Sequence, residues 1–171
     1  VLKVIVKTQD GIFSDVSTFN YIITDALQIH DLQGAGHTTP FDDQFVEGIQ
    51  GIVTYDFMLN GAYYYTIQTP DDLVDDNPHT SEAIILYSGT RAWPIQVGDL
   101  VAVTGKVSEY AYDGYDDRNQ TDLKTTQINV RNDQGGNVTV LQSSVALPAP
   151  IKIDESKMNF KHIDSDHLAI F

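Results

Sequence analysis

Two short segments concentrate the residue types that could do chemistry. Residues 69–81, TPDDLVDDNPHTS, hold Asp71, Asp72, Asp75 and Asp76 with Asn77 beside them. Residues 113–122, DGYDDRNQTD, hold Asp113, Asp116, Asp117, Asn119 and Asp122. A hard cation such as Ca²⁺ takes about six to eight oxygen ligands, and either loop carries enough carboxylate and amide oxygen to supply most of them. Ca²⁺ is therefore the ion these segments would take, and a bound ion would offset the crowding of so many carboxylates. Neither loop has the ligand spacing of an EF-hand. That failure favours the competing assignment, a solvated acidic surface.

The histidines give less. His162 and His167 enclose Asp164 and Asp166 and form a weak candidate for Zn²⁺, which wants three or four well-placed N, O or S ligands. His30 and His37 flank the glycine-rich stretch 34–36, and we expect them to hold that loop by hydrogen bonds, since no third donor is evident beside them. His79, Thr80, Ser81 and Glu82 are consecutive, but adjacency in sequence does not make a triad. There is no nucleophile elbow, P-loop or H-E-x-x-H helix. Nothing here reads as an active site, so the chain is expected to be non-catalytic.

Aromatic side chains supply a third kind of chemistry. Tyr63, Tyr65, Tyr87, Trp93, Tyr110 and Tyr112 are the candidates for a contact platform, because aromatic rings stack on bases and on sugars. Along one strand Tyr63 and Tyr65 share a face and Tyr64 takes the other, so one of the three must leave the core. Core packing with a tyrosine at the rim is the competing assignment. It is favoured by charge: 24 acidic against 10 basic residues give a formal net charge of −14, and Lys106, Arg118, Lys124 and Arg131 are too few to line a basic groove. Any nucleic-acid binding is then expected to be weak and salt-sensitive.

The elements that must position these residues are strands. Apolar alternation is clear in Leu100-Val101-Ala102-Val103 and Val138-Thr139-Val140-Leu141, and helical periodicity is weak throughout. Strands are expected at 44–58, 62–68, 82–87, 99–112, 121–130 and 138–141, with a short apolar strand inside 27–40 running into a glycine-rich loop. Gly51 and Gly105 sit inside the two longest runs, where a glycine points to a bulge or sharp bend. Together these predict an all-β, OB-fold-like Greek-key barrel of five to six strands. Residues 1–24 predict a β-hairpin extension turning at Asp10-Gly11, either packed on the barrel or closing a preceding β-sandwich module. The domain division is thus 1–24, a barrel over 25–147, and 148–171, a Pro-containing linker leading to a further segment.

Motif order carries a resemblance. IHDLQGAGH (29–37), VEGIQGIVTYDF, GAYYYTIQTPDDLVDDNPHTSEAIILYSG, VGDLVAVTGKVSEY, TQI (126–128) and LPAPIKI resemble, in that order, the OB-fold module preceding the catalytic domain in secreted bacterial nucleases of the endonuclease/exonuclease/phosphatase superfamily. The resemblance covers about residues 27–153, and the Asp-rich segment 111–125 departs from it as an insertion. It implies an accessory domain that helps bind nucleic acid or position a neighbouring catalytic domain of the same polypeptide, in a secreted or cell-surface protein. A different class stays open: a Ca²⁺-stabilised structural or adhesive module binding a glycan or protein. Cysteine is absent, which excludes disulfides and thiolate metal sites. No apolar run approaches the roughly 20 residues of a membrane helix, so no membrane insertion is expected. The first residues do not form a signal peptide, and the chain reads as a piece of a longer polypeptide.

Overall fold

The computed structural model describes residues 2–4, 10, 17–19, 26–36, 38–75, 77–111 and 124–150. The N-terminal hairpin consists of β1 (Leu2–Val4) and β2 (Ser17–Phe19), antiparallel with Lys3 opposite Thr18. The barrel is built from β3 (Phe45–Leu59), β4 (Ala62–Gln68), β5 (Ala83–Gly89), β6 (Leu100–Tyr110), β7 (Thr125–Asn129) and β8 (Asn137–Gln142). Five of these close a ring in the order β3-β4-β5-β7-β6, because β6 also pairs with β3. All neighbours are antiparallel except β5 and β7. That parallel pair requires the chain to cross over between them, which it does by way of β6. The all-β, OB-like Greek-key expectation holds, with β4, β5 and β6 beginning and ending within about two residues of their expected bounds.

One expected element is different. Residues 29–33 form a single helical turn, α1 (Ile29–Gln33), where a strand was expected. Asp31 accepts the Gln28 N–H at 2.9 Å and so caps the turn. Ile29, Leu32 and Gln33 then fall on one side and are buried. Gly34, at φ 69°, ends the helix and donates its N–H to His30 O at 2.9 Å. One turn is too short to show a helical period, so the apolar residues read as a strand.

Side-chain alternation puts one set of residues in the barrel interior. Tyr65, Leu86, Ile128 and Val107 lie opposite one another across β4, β5, β7 and β6, and each is at most 4% exposed. Val53, Ile67 and Ile84 form a second such row. Burying an aliphatic side chain of this size stabilises by roughly 2 kcal/mol. α1 closes one end, with Ile29 and Leu32 fully buried against this core.

The register shifts of β3 and β6 fall away from Gly51 and Gly105. β3 is bulged between Val46 and Ile49, where Gly48 takes φ 73°. Gly51 and Gly105 instead lie where the structure has no room for a side chain. A Cβ on Gly51 would meet Ile67 at 3.0 Å and Ile29 Cδ1 at 3.1 Å. Gly105 sits where the partner of β6 changes from β7 to β8, and a Cβ there would strike Asn129 O and stand 2.7 Å from Ile128 Cγ2.

Candidate ligand-binding face

The outward row of the same strands is aromatic. Phe57 on β3 lies opposite Tyr64 on β4, and Tyr64 lies opposite Tyr87 on β5. Phe57 and Tyr64 stack with centroids 5.1 Å apart and planes 9° from parallel. Tyr64 and Tyr87 are tilted at 5.3 Å, and Tyr55, two residues before Phe57, continues the row at 5.8 Å. Tyr55 is 60% exposed, so the ladder ends in solvent. Partial burial raises the pKa of the Tyr64 phenol, with the Tyr87 and Tyr110 phenols adding to the shift.

This arrangement divides the aromatic residues singled out from the sequence. Tyr87 and Tyr110 belong to the outer surface, with Tyr110 exposed near the end of β6. Tyr65 does not: it is 4% exposed, and its ring has no free face for a ligand. Its hydroxyl accepts the Trp93 N–H at 2.9 Å and donates to Trp93 O at 3.2 Å. Tyr63 and Trp93 are partly buried and pack against the core. Tyr112 lies outside the described residues. Tyr64 takes the opposite face, as its place between Tyr63 and Tyr65 requires, and Tyr55 and Phe57, not singled out from the sequence, join it there. The alternation within Tyr63-Tyr64-Tyr65 was a usable signal, since it required one of them to leave the core, but register shifts between Val53 and Tyr55 and between Tyr63 and Tyr64 decide which rings meet.

Beside the ladder, past the end of β5, a cleft is lined by Ser88, Thr90, Arg91, Arg131, Asn132 and Asp133. Arg131 is held by Asp133, with Nη2 2.6 Å and Nε 3.1 Å from its carboxylate oxygens. Arg91 is exposed at the same cleft. Lys106, on the row that continues from Tyr87 through Asn129, is paired with Asp43 at 2.5 Å.

Among the described residues of the first Asp-rich loop, side chains bond nearby backbone and hydroxyl groups, and the carboxylates do not gather. Asp71 accepts the Ala149 N–H at 3.0 Å, tying the loop to the segment after β8. Asp72 is exposed. Asp75 accepts the Asn77 N–H at 3.1 Å, and Thr80 Oγ1 lies 2.8 Å from both its carboxylate oxygens. Asp71, Asp72 and Asp75 do not converge on a common point. Asp76 and the whole second set, Asp113, Asp116, Asp117, Asn119 and Asp122, lie outside the described residues, as do His37, His162 and His167. The His30 carbonyl accepts the Gly34 N–H and so holds the start of the glycine-rich loop, while its imidazole turns elsewhere. Its Nδ1 faces Glu82, 3.0 and 3.1 Å from the two carboxylate oxygens.

No family model and no curated protein matches the chain. Among the described residues, no helix is long and apolar enough to cross a membrane.

Proposed function

We propose that this chain is a non-catalytic, ligand-binding OB-fold-like domain, an accessory module of a secreted or cell-surface bacterial nuclease of the kind its motif order resembles. In this reading it holds single-stranded nucleic acid for a neighbouring catalytic domain. The observation that carries the proposal is the ladder Tyr55–Phe57–Tyr64–Tyr87 on the outer face of β3, β4 and β5. The second and third strands of an OB barrel, here β4 and β5, form the face on which such barrels take oligonucleotides and oligosaccharides. Stacking tolerates any base, since every base has a π-face. Arg91, which lines the adjoining cleft, would supply a cation for a backbone phosphate in this reading. Against this, the net charge of −14 repels polyanions and limits affinity.

A second reading, an oligosaccharide-binding or adhesive module, is favoured by one specific observation. The ladder itself contains no cation, and Lys106 and Arg131 near it are already paired with Asp43 and Asp133. A neutral glycan stacks on the same rings without electrostatic penalty.

Anisotropy titration with a labelled oligothymidylate at low and high salt, alongside a set of neutral oligosaccharides, separates the two. Salt-sensitive oligonucleotide binding that Tyr64→Ala abolishes supports the nucleic-acid reading. Salt-independent saccharide binding abolished by the same substitution replaces it with the glycan reading. Binding of neither removes a ligand-binding role for this face.

A further inference from the structure

Away from the aromatic face, at the barrel end that α1 closes, three potential metal ligands converge from α1 and from the two ends of the β4–β5 connection. His30 comes from α1, Asp75 from the loop between β4 and β5, and Glu82 immediately precedes β5. Their ligand atoms all lie within 4.8 Å of one another. The side chains of His30 and Glu82 are only 15% and 11% exposed. Glu82 Oε1 also accepts the Asp75 N–H at 2.8 Å, so the two ends of the connection are held together.

A separate observation points to the same place. Thr69 is fully buried, and its Oγ1 has no hydrogen-bond partner. Its backbone N–H donates to Glu82 O at 2.8 Å, one step beyond the paired residues Gln68 and Ala83. Residues opposed in this way put their side chains on the same face, with Cβ atoms about 5 Å apart. A buried hydroxyl without a partner is costly. The register sets the Cβ of this residue beside that of Glu82.

We propose that His30, Asp75 and Glu82 form a binding site for one divalent transition-metal ion of the Zn²⁺ type, with the Thr69 hydroxyl as a further polar neighbour. The donor set is one imidazole nitrogen and two carboxylates. Nitrogen ligation selects Zn²⁺ over Ca²⁺ and Mg²⁺, which prefer all-oxygen sites. Two carboxylates match the charge of a divalent ion. The Thr80 hydroxyl at the Asp75 carboxylate is the kind of outer contact that orients a ligand. Ligation takes place through the Nδ1 lone pair, so in the metal-bound form the imidazole carries its proton on Nε2. The site is distinct from the aromatic ladder, and its existence does not depend on what that face binds.

The test is calorimetric titration of the metal-stripped full chain with Zn²⁺ and, separately, Ca²⁺. The wild type, His30→Gln, Glu82→Gln, Asp71→Asn and the double variant His162→Ala/His167→Ala are compared, with circular dichroism confirming folding. One Zn²⁺ per chain is expected, retained in Asp71→Asn and in the tail double variant, and weakened by at least about a hundredfold in His30→Gln and Glu82→Gln. Thr69→Val guards against misfolding of the other variants, because it keeps the shape of the side chain. It is expected to melt no lower than wild type without metal and to show a smaller Zn²⁺-induced rise. Absence of Zn²⁺ binding in the wild type overturns the proposal. So does binding that survives in His30→Gln and is lost with the tail histidines.

Discussion

Tyr65 and Trp93 share a reciprocal pair of hydrogen bonds in which one phenol serves both polar groups of a single residue's backbone. The hydroxyl accepts from Trp93 N at 2.9 Å and donates to Trp93 O at 3.2 Å. This fixes the loop between β5 and β6 onto the barrel from within, since the Tyr65 ring is core.

Tyr65→Phe is expected to lower stability by about 2 kcal/mol, because it keeps the ring and leaves the Trp93 backbone groups without their partner. The same variant should change the alkaline limb of stability. Burial raises the Tyr65 pKa above the ordinary 10.0, opposed by the Trp93 backbone hydrogen bond and assisted by Asp56 and Tyr63. With the folded value above the unfolded one, the stability contribution is full below pH 10.0 and is lost as pH rises through the folded value. Urea denaturation at neutral pH and at about pH 11 should show a smaller alkaline loss in Tyr65→Phe than in wild type.

Gly105→Ala is expected to cost about 3 kcal/mol, since the new methyl group would collide with the Asn129 carbonyl and crowd Ile128. Gly136→Ala should be at least as damaging, because its Cβ would fall onto the Val130 backbone. Gly36→Ala, with nothing within 4 Å of the added carbon, serves as the control and should be close to neutral. Thermal melts of the three variants check the order.

Tyr64→Ala and Phe57→Ala should separate binding from folding. Both rings lie on the outer face, so stability should fall by about 1 kcal/mol, mainly from lost stacking. Binding to whichever ligand the face takes should weaken by about tenfold or more, the scale of one stacking contact. Tyr65→Phe should leave that affinity unchanged. Anisotropy titrations on the three variants, matched to their melts, provide the check.

Asp71→Ala should release the segment after β8 without unfolding the barrel. The Ala149 amide loses its carboxylate acceptor, 3.0 Å away, and the exposed bond is worth no more than about 1 kcal/mol. Faster hydrogen exchange at Ala149, with protection of Leu86 and Ile128 unchanged, is the expected outcome.

The strands were readable because alternation is a local property. Residues 100–103 and 138–141 carry it plainly, and the structure has strands there. α1 was not readable, because a single turn shows the same apolar residues that a short strand would. Which rings face outward was not readable for a different reason. Tyr63, Tyr64 and Tyr65 alternate as expected, but which face is the interior is set by the bulges and by the partners Phe57 and Tyr87.

By itself the sequence determined the all-β class, the positions of the main strands, the surplus of acidic groups and the absence of cysteine, because each depends on composition or on neighbours a few residues apart. Only the tertiary structure decided that Tyr64 points outward against Phe57, that Gly105 has no room for a side chain, and that His30 meets Glu82 across 52 positions of chain. Such relationships arise from strand register and barrel closure, which bring together residues that no local pattern connects.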